Sequence, residues 1–148
     1  MEKFGKAQAF TRLEDVRFLK GEGRYIDDIA PEGAAFGYFL RSPVAHGSIT
    51  ELNVEEARAA EGVRLVLTAD DLEAAGVRMD MWGVQVPNRD GTKGVKPPRP
   101  PLAQGKVRFV GEAIAFIVAD TLEAARDASE LIEVDFDELD AKTDLAPG

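Results

Sequence analysis

Ala113-Ile114-Ala115-Phe116-Ile117-Val118-Ala119, then Asp120-Thr121-Leu122-Glu123-Ala124-Ala125-Arg126-Asp127-Ala128, then Glu133-Val134-Asp135-Phe136-Asp137, is the stretch on which the reading of this chain turns. Seven apolar residues in a row are too few to cross a bilayer and suit a central strand buried on both faces. The next segment changes period: Leu122, Ala125 and Leu131 lie inward, and Arg126 and Glu130 make an i,i+4 pair on the outer face. Asp120 is the expected N-cap, with Glu123 completing a capping box. Residues 133–137 then alternate strictly, with Val134 and Phe136 inward and Glu133, Asp135 and Asp137 outward, which predicts another strand. Just upstream, 107–110 alternates apolar with basic residues and predicts a strand that Gly111 turns.

The first half carries the same plan. Residues 34–41, with Phe36, Tyr38, Phe39 and Leu40, suit a strand that Ser42-Pro43 ends. A second strand over 48–52 buries Ile49 and Leu52 and turns Glu51 outward. Asn53 reads as a helix N-cap with Glu56 reaching back to it; Val54, Ala57 and Ala60 form the inner face, and Gly62 closes the helix. Residues 63–68 are a third strand. Val54-Glu55-Glu56-Ala57-Arg58-Ala59-Ala60 and Leu122-Glu123-Ala124-Ala125-Arg126-Asp127-Ala128 share a pattern 68 positions apart. Either an internal repeat or two independently capped amphipathic helices account for that, and the architecture is the same on both accounts. The expectation is an α+β domain of two strand–helix–strand halves in one mixed sheet, with both helices on one face.

Two segments lie outside that plan. Residues 1–30 are charged and glycine-dotted, with Gly21, Gly23 and Asp27-Asp28 marking turns; they read as an arm with little structure of its own, leaving 31–148 as the domain. From about residue 73 to 104 runs an insertion holding Pro87, Pro97, Pro98, Pro100 and Pro101 with Asp90-Gly91 and Gly94, most of which can be neither helix nor central strand.

Composition narrows the function classes. A chain of 148 residues buries roughly 70% of its unfolded surface and needs no staples. Its 45% hydrophobic and 30% charged residues fit a globular domain. The net charge of −9 argues against nucleic acid or an anionic membrane as partner. The absence of cysteine removes disulfides, Cys-ligated zinc, iron–sulfur ligation and a thiol nucleophile. The first residues hold no apolar core like that of a signal peptide, so a cytoplasmic location is expected.

Candidate chemistry is sparse. His46 is the only histidine; Ser48 is near it in sequence, but no Gly-x-Ser-x-Gly elbow is present, and a structural His46 is the favoured reading. The acidic groups Asp27-Asp28, Asp70-Asp71 and Asp135, Asp137, Glu138, Asp140 match no calcium loop, and the last reads as a solvated edge. Gly21-Glu22-Gly23 lacks the third glycine and the strand–helix setting of a phosphate loop. The run 97–101 satisfies P-x-x-P, although a stiff loop is the commoner reason for such a run. No catalytic, cofactor-binding or metal-binding residue is assigned.

Several phrases in order resemble the large subunit of the molybdenum hydroxylases, the xanthine dehydrogenase, aldehyde oxidase and carbon monoxide dehydrogenase family. They are Arg12-Leu13-Glu14-Asp15-Val16-Arg17-Phe18-Leu19-Lys20-Gly21-Glu22-Gly23-Arg24-Tyr25-Ile26-Asp27-Asp28-Ile29, Arg41-Ser42-Pro43-Val44-Ala45-His46-Gly47-Ser48-Ile49, residues 63–71, Pro101-Leu102-Ala103, Val107-Arg108-Phe109-Val110-Gly111-Glu112, and residues 128–136. Ala113, where proline often follows Gly-Glu, and Asp140, where Leu-Pro is usual, depart from the pattern near strand ends. The resemblance implies an α/β-hammerhead domain in a molybdopterin-dependent oxidoreductase, with the molybdenum-binding machinery in later domains of the large subunit. It implies as partners those domains and the iron–sulfur and flavin subunits, and a scaffold role for this chain. A homodimer of the isolated chain is a further expectation. The competing reading is a free-standing interaction module using the proline-rich loop 97–101 and the acidic edge; an independent small enzyme built on His46 or an acid pair ranks below both.

Overall fold

The computed structural model describes residues 12–80, 85–94, 96 and 99–144. The chain divides into two compact units, Met1–Ala34 and Ala35–Gly148.

In the first unit α1 (Asp15–Leu19) begins where the Arg12 N–H donates to the Asp15 carboxylate at 2.9 Å. A single 3₁₀ turn, Ile26–Asp28, begins where the Tyr25 N–H donates to Asp28 Oδ2 at 2.8 Å. The Phe18 and Tyr25 rings stack with centroids 5.8 Å apart. The arm is therefore more structured than its glycine-dotted composition suggests, because aspartates three residues downstream supply local acceptors that apolar periodicity does not register. Leu13, Leu19 and Ile26 remain exposed.

The second unit contains β1 (Phe36–Arg41), β2 (Gly47–Asn53), α2 (Glu55–Ala59), β3 (Val63–Leu67), α3 (Ala69–Ala74), β4 (Lys106–Val107), β5 (Ala113–Ala119), α4 (Leu122–Glu130) and β6 (Glu133–Glu138). The strands form two three-stranded sheets, in the orders β1-β5-β3 and β4-β2-β6, and every pairing is antiparallel. This corrects the expected single mixed sheet. Successive strands alternate between the sheets, odd-numbered in one and even-numbered in the other, so each strand pairs only with partners distant in sequence. Alternation of side chains states which face of a strand is buried; it does not state which strand lies beside it.

The seven-residue apolar run is the middle strand of its sheet, as its composition predicts. Ala115, Ile117 and Ala119 are fully buried on one face, where they meet Val54 at the start of α2, Ala57 within it, and Ala125 and Ala128 of α4. Both helices cover that face. Alanine dominates the contact and lets helix and strand approach closely. A smaller core of Ala103, Val107 and Ile114 lies under the second sheet, with Ile49, Leu52, Val134 and Phe136 packed on it. Ile49 and Leu52 are three residues apart yet share a face, because a register shift between Ile49 and Glu51 removes one step of alternation.

Local details depart from the sequence expectations. Both predicted caps are one residue early. Val54 holds the N-cap position of α2 with no side-chain bond, and Asn53 Oδ1 accepts the Glu55 N–H at 3.1 Å while Asn53 remains in β2. Thr121, not Asp120, caps α4 by accepting the Ala124 N–H at 3.1 Å; Asp120 instead pairs with Arg64 at 2.6 Å. Threonine's extended backbone preference suits the last position before a helix, and this frees the aspartate. Neither expected capping box forms, and Arg126 and Glu130 make no ion pair among the described residues. Ile132 is buried where Leu131 was expected, since α4 stops at Glu130 and the turn changes the phase. The strand expected over 107–110 stops at Val107.

The short helix α3 adds an element that the sequence pattern does not predict, and Thr68 and Asp71 form its capping box. Between α3 and β4 the described residues of the proline-bearing segment form neither helix nor strand, and a tight turn places the Asn88 N–H on the Thr92 carbonyl at 2.9 Å. Pro97 and Pro98 lie outside the described residues.

Asp71 does more than cap. It accepts from the Thr68 N–H and hydroxyl, each at 2.7 Å, and pairs with Arg58 at 2.8 Å, linking α3 to α2. Burial works to raise its pKa, but the Thr68 bonds and the Arg58 guanidinium outweigh burial and hold the carboxyl below its ordinary value of 3.8. A lowered folded-state pKa contributes stability above the ordinary value, and that contribution is lost as pH falls through the lowered one. Asp71→Ala should cost about 1 kcal/mol at neutral pH, and the gap to the native chain should narrow in strong acid; urea titrations at the two pH values measure it.

Candidate functional site

Two of the quoted phrases, 41–49 and 107–112, meet at one corner of the second unit. The chain leaves β1 at Arg41, where the pairing with β5 shifts register, and turns through Ser42-Pro43 into β2. Ser42 is buried, its hydroxyl donating to the Val44 carbonyl at 2.9 Å. Its backbone binds the opposing turn twice: the Ser42 N–H donates to the Glu112 carbonyl and the Gly111 N–H to the Ser42 carbonyl, each at 2.8 Å. Arg41 Nη1 adds a bond to the Gly111 carbonyl at 2.9 Å.

The turn itself is held from inside. Glu112 is only 8% exposed, and its Oε2 accepts the Arg108 N–H at 2.5 Å while its own N–H donates to the Phe109 carbonyl. Gly111 has φ +87°, a conformation that costs an L side chain about 1 kcal/mol, so glycine suits the reversal. The outcome is unusual for a surface loop: a rigid turn, anchored by a buried carboxylate, whose projecting residues Phe109 and Val110 are 58% and 64% exposed. Beside it lies an open groove of about 660 Å³ bordered by His46, Lys106, Arg108, Asp140 and Lys142.

His46 sits at the rim of this groove. Its Nδ1–H donates to the Asp140 carbonyl at 3.0 Å, and the His46 carbonyl accepts the Leu139 N–H at 2.9 Å, so the residue ties the β1–β2 turn to the chain leaving β6. Ser48 lies within β2, opposite Lys106 and Asp137, and no hydrogen bond joins it to His46 among the described residues. No nucleophile–base pair is assembled there.

The acidic candidates are dispersed. Asp28 closes the 3₁₀ turn, Asp71 caps α3, and Asp135 and Asp137 stand exposed on β6, an edge strand of its sheet. No group of three or more His, Cys, Asp or Glu residues could hold a metal among the described residues. Gly21-Glu22-Gly23 follows the end of α1. A molybdopterin dinucleotide does not fit the described residues. The cavities lined by residues 49–52 with 103–105 and by His46, Lys106 and Arg108 are open surface grooves rather than a cleft that would enclose the ligand. The only buried side-chain polar atom without a partner among the described residues is Asp80 Oδ1, which lines neither groove.

A second feature faces outward from β1-β5-β3, on the side away from the helices. The register places Gly37 and Phe39 of β1, Phe116 and Val118 of β5, and Leu65 and Leu67 of β3 on that face. Phe39 and Phe116 pack with centroids 4.6 Å apart, and the Arg41 guanidinium lies 5.3 Å over the Phe39 ring. A Cβ on Gly37 would come within 2.7 Å of the Phe116 ring, so glycine admits that ring. Phe39 and Leu65 remain 40% and 46% exposed. A sheet face open to water ordinarily alternates to polar residues, and this one is apolar. The sequence signalled it: β5 is apolar on both faces, and the helices cover only one.

The chain resembles known proteins over most of its length. Residues 20–140 match the family model described as aldehyde oxidase and xanthine dehydrogenase, a/b hammerhead domain. The chain is 38% identical over 133 residues to the carbon monoxide dehydrogenase large chain of Afipia carboxidovorans, covering 90% of this chain and 15% of that protein. It is 35% identical to the nicotine 6-hydroxylase large subunit of Paenarthrobacter nicotinovorans, covering 90% of this chain and 16% of that one. Among solved structures, quinoline 2-oxidoreductase from Pseudomonas putida 86 aligns with a TM-score of 0.79 at 37% identity over 88% of this chain and 16% of its own. The chain thus spans about 15% of the length of the relatives it matches.

The anchoring of the 107–112 turn is open to test. Glu112→Ala strands the Arg108 N–H and should destabilise the chain by about 1–3 kcal/mol, with faster amide exchange at Arg108. Glu112→Gln keeps an acceptor oxygen and should lie nearer the native value; hydrogen-exchange mass spectrometry with chemical denaturation separates the two.

Proposed function

The chain belongs to the aldehyde oxidase and xanthine dehydrogenase a/b hammerhead family, and from that membership we propose that it is a structural and assembly domain of a molybdopterin-dependent oxidoreductase. It acts as a fragment or a separate subunit equivalent to the opening part of a large chain like that of carbon monoxide dehydrogenase or xanthine dehydrogenase. The reactive centre is supplied by the remainder of that chain, with iron–sulfur and flavin subunits completing the complex. The arm, 1–30, and the hammerhead body, 31–148, both serve as contact surfaces for those partners.

The observation that carries this reading is the apolar outer face of β1-β5-β3. Fully burying a side chain such as Phe39 or Leu65 contributes roughly 1.5–3 kcal/mol relative to leaving it in water. That driving force is partly unused in the isolated chain, and a covering domain would recover it. The exposed Leu13, Leu19 and Ile26 of the arm are of the same kind. The acidic residues of β6, by contrast, occupy a sheet edge, where charge discourages further strand pairing. The interaction-module reading therefore gains little from them.

Mixed at micromolar concentrations with the remainder of a family large chain, this chain should co-elute in size-exclusion chromatography with defined stoichiometry. Leu65→Lys combined with Phe39→Ser should weaken the association by about tenfold or more, a loss of about 1.4 kcal/mol or more, with an unchanged circular dichroism spectrum. No association of the native chain sinks the proposal.

A further inference from the structure

We propose that the groove beside the 107–112 turn is a docking site for an acidic polypeptide segment that carries an apolar side chain. This goes beyond the assembly role and rests on it only in taking the occupant to be polypeptide.

The turn shows the investment. A buried carboxylate costs folding free energy unless it is hydrogen-bonded, and Glu112 is spent on holding the backbone at Arg108. Four further bonds join that turn to Arg41 and Ser42 or close it on itself. What this rigidity displays is Phe109 and Val110, both more than half exposed. An apolar pair on a mobile loop could fold back out of water; on a pinned turn it stays presented. Preorganised apolar anchors lose little conformational freedom on binding, which is what a docking site needs.

Charge identifies the occupant. The chain carries a net charge of −9, yet Lys106, Arg108 and Lys142 gather around this one groove with His46 at its rim, against the single carboxylate of Asp140. The ion pairs of the described residues leave Lys106, Arg108 and Lys142 without a carboxylate partner. An acidic segment is attracted to this groove, while the net charge of −9 disfavours its approach elsewhere. An apolar side chain on that segment would pack on Phe109 and Val110, and its flanking carboxylates would meet the lysines and the arginine.

The test is a nuclear magnetic resonance titration of the ¹⁵N-labelled full chain with an end-blocked peptide of sequence Asp-Glu-Phe-Asp-Glu. Shifts should change at Arg108, Phe109 and Lys142 at roughly millimolar peptide or below, and the affinity should fall as salt rises. Lys106→Glu with Arg108→Glu, and separately Phe109→Ser, should each weaken binding by about tenfold without changing the circular dichroism spectrum. A Lys-for-acid version of the peptide should not bind. Silence at these amides, or shifts confined to the β1-β5-β3 face, overturns the proposal. So does inorganic phosphate that perturbs the same amides as strongly and displaces the peptide, since the ligand would then be a small anion. Peptide binding without association to a large-chain remainder would overturn the assembly role and leave this site standing. Association without peptide binding would do the reverse.

Discussion

Ala113–Ala119 has a strand on either side of it, and its alternate residues face two different demands. Toward the helices it offers Ala115, Ile117 and Ala119, fully buried beneath Ala57, Ala125 and Ala128. A wall of alanines works only if the helices come close, and no water fills the gap when they do. Enlarging any of these residues would push a helix off the sheet and cost about 1–3 kcal/mol in strain. Toward the other side the same strand offers Phe116 and Val118, which β1 and β3 flank but no element of this unit's helices covers. One strand therefore creates both the core that folds the domain and the apolar face left open on its far side.

The alternation of strands between two sheets gives the domain its second property. Each of the crossovers through α2 and α4 carries the chain from one sheet to the other, β2 to β3 and β5 to β6. Since no strand pairs with its immediate neighbour in sequence, every ladder joins residues brought from far along the chain. β1 meets β5 and β2 meets β6, so neither strand–helix–strand half completes a sheet alone. Such topologies form slowly and as a unit, because loop closure precedes the contacts that reward it. The same interlocking joins the two strand–helix–strand halves into one unit.

Rigid presentation links the fold to the groove. The β1–β2 turn and the 107–112 turn are fixed by each other's backbone, and both are fixed to the strands that enclose the smaller core at Val107 and Ile114. Arg41 serves both surfaces, lying over the Phe39 ring and bonding the Gly111 carbonyl. The apolar sheet face and the basic groove are thus two outlooks of one corner rather than independent loops.

What the amino-acid sequence determined by itself was local in origin. Period-two alternation set the faces of β6, the apolar run marked β5 as central, and 3.6-residue spacing located α2 and α4, since each pattern records the burial of one element. Glycines and prolines marked the turns at Ser42-Pro43 and Gly111 through backbone sterics alone. The ordered phrases pointed to the hammerhead family. The α4 cap slipped by one residue because Thr121 and Asp120 are both competent acceptors and only the packed helix selects between them, whereas at α2 the pairing of Asn53 within β2 moves the helix start to Val54. Strand partners, the division into two sheets and the meeting of residues 41–49 with 107–112 belonged to the tertiary structure. Hydrogen-bonding edges are chemically alike on every strand, so pairing is chosen by the burial that the whole assembly of elements achieves. The basic groove was hidden for the same reason: Lys106, Arg108 and Lys142 are scattered in an acidic sequence, and only folding sums their charges in one place.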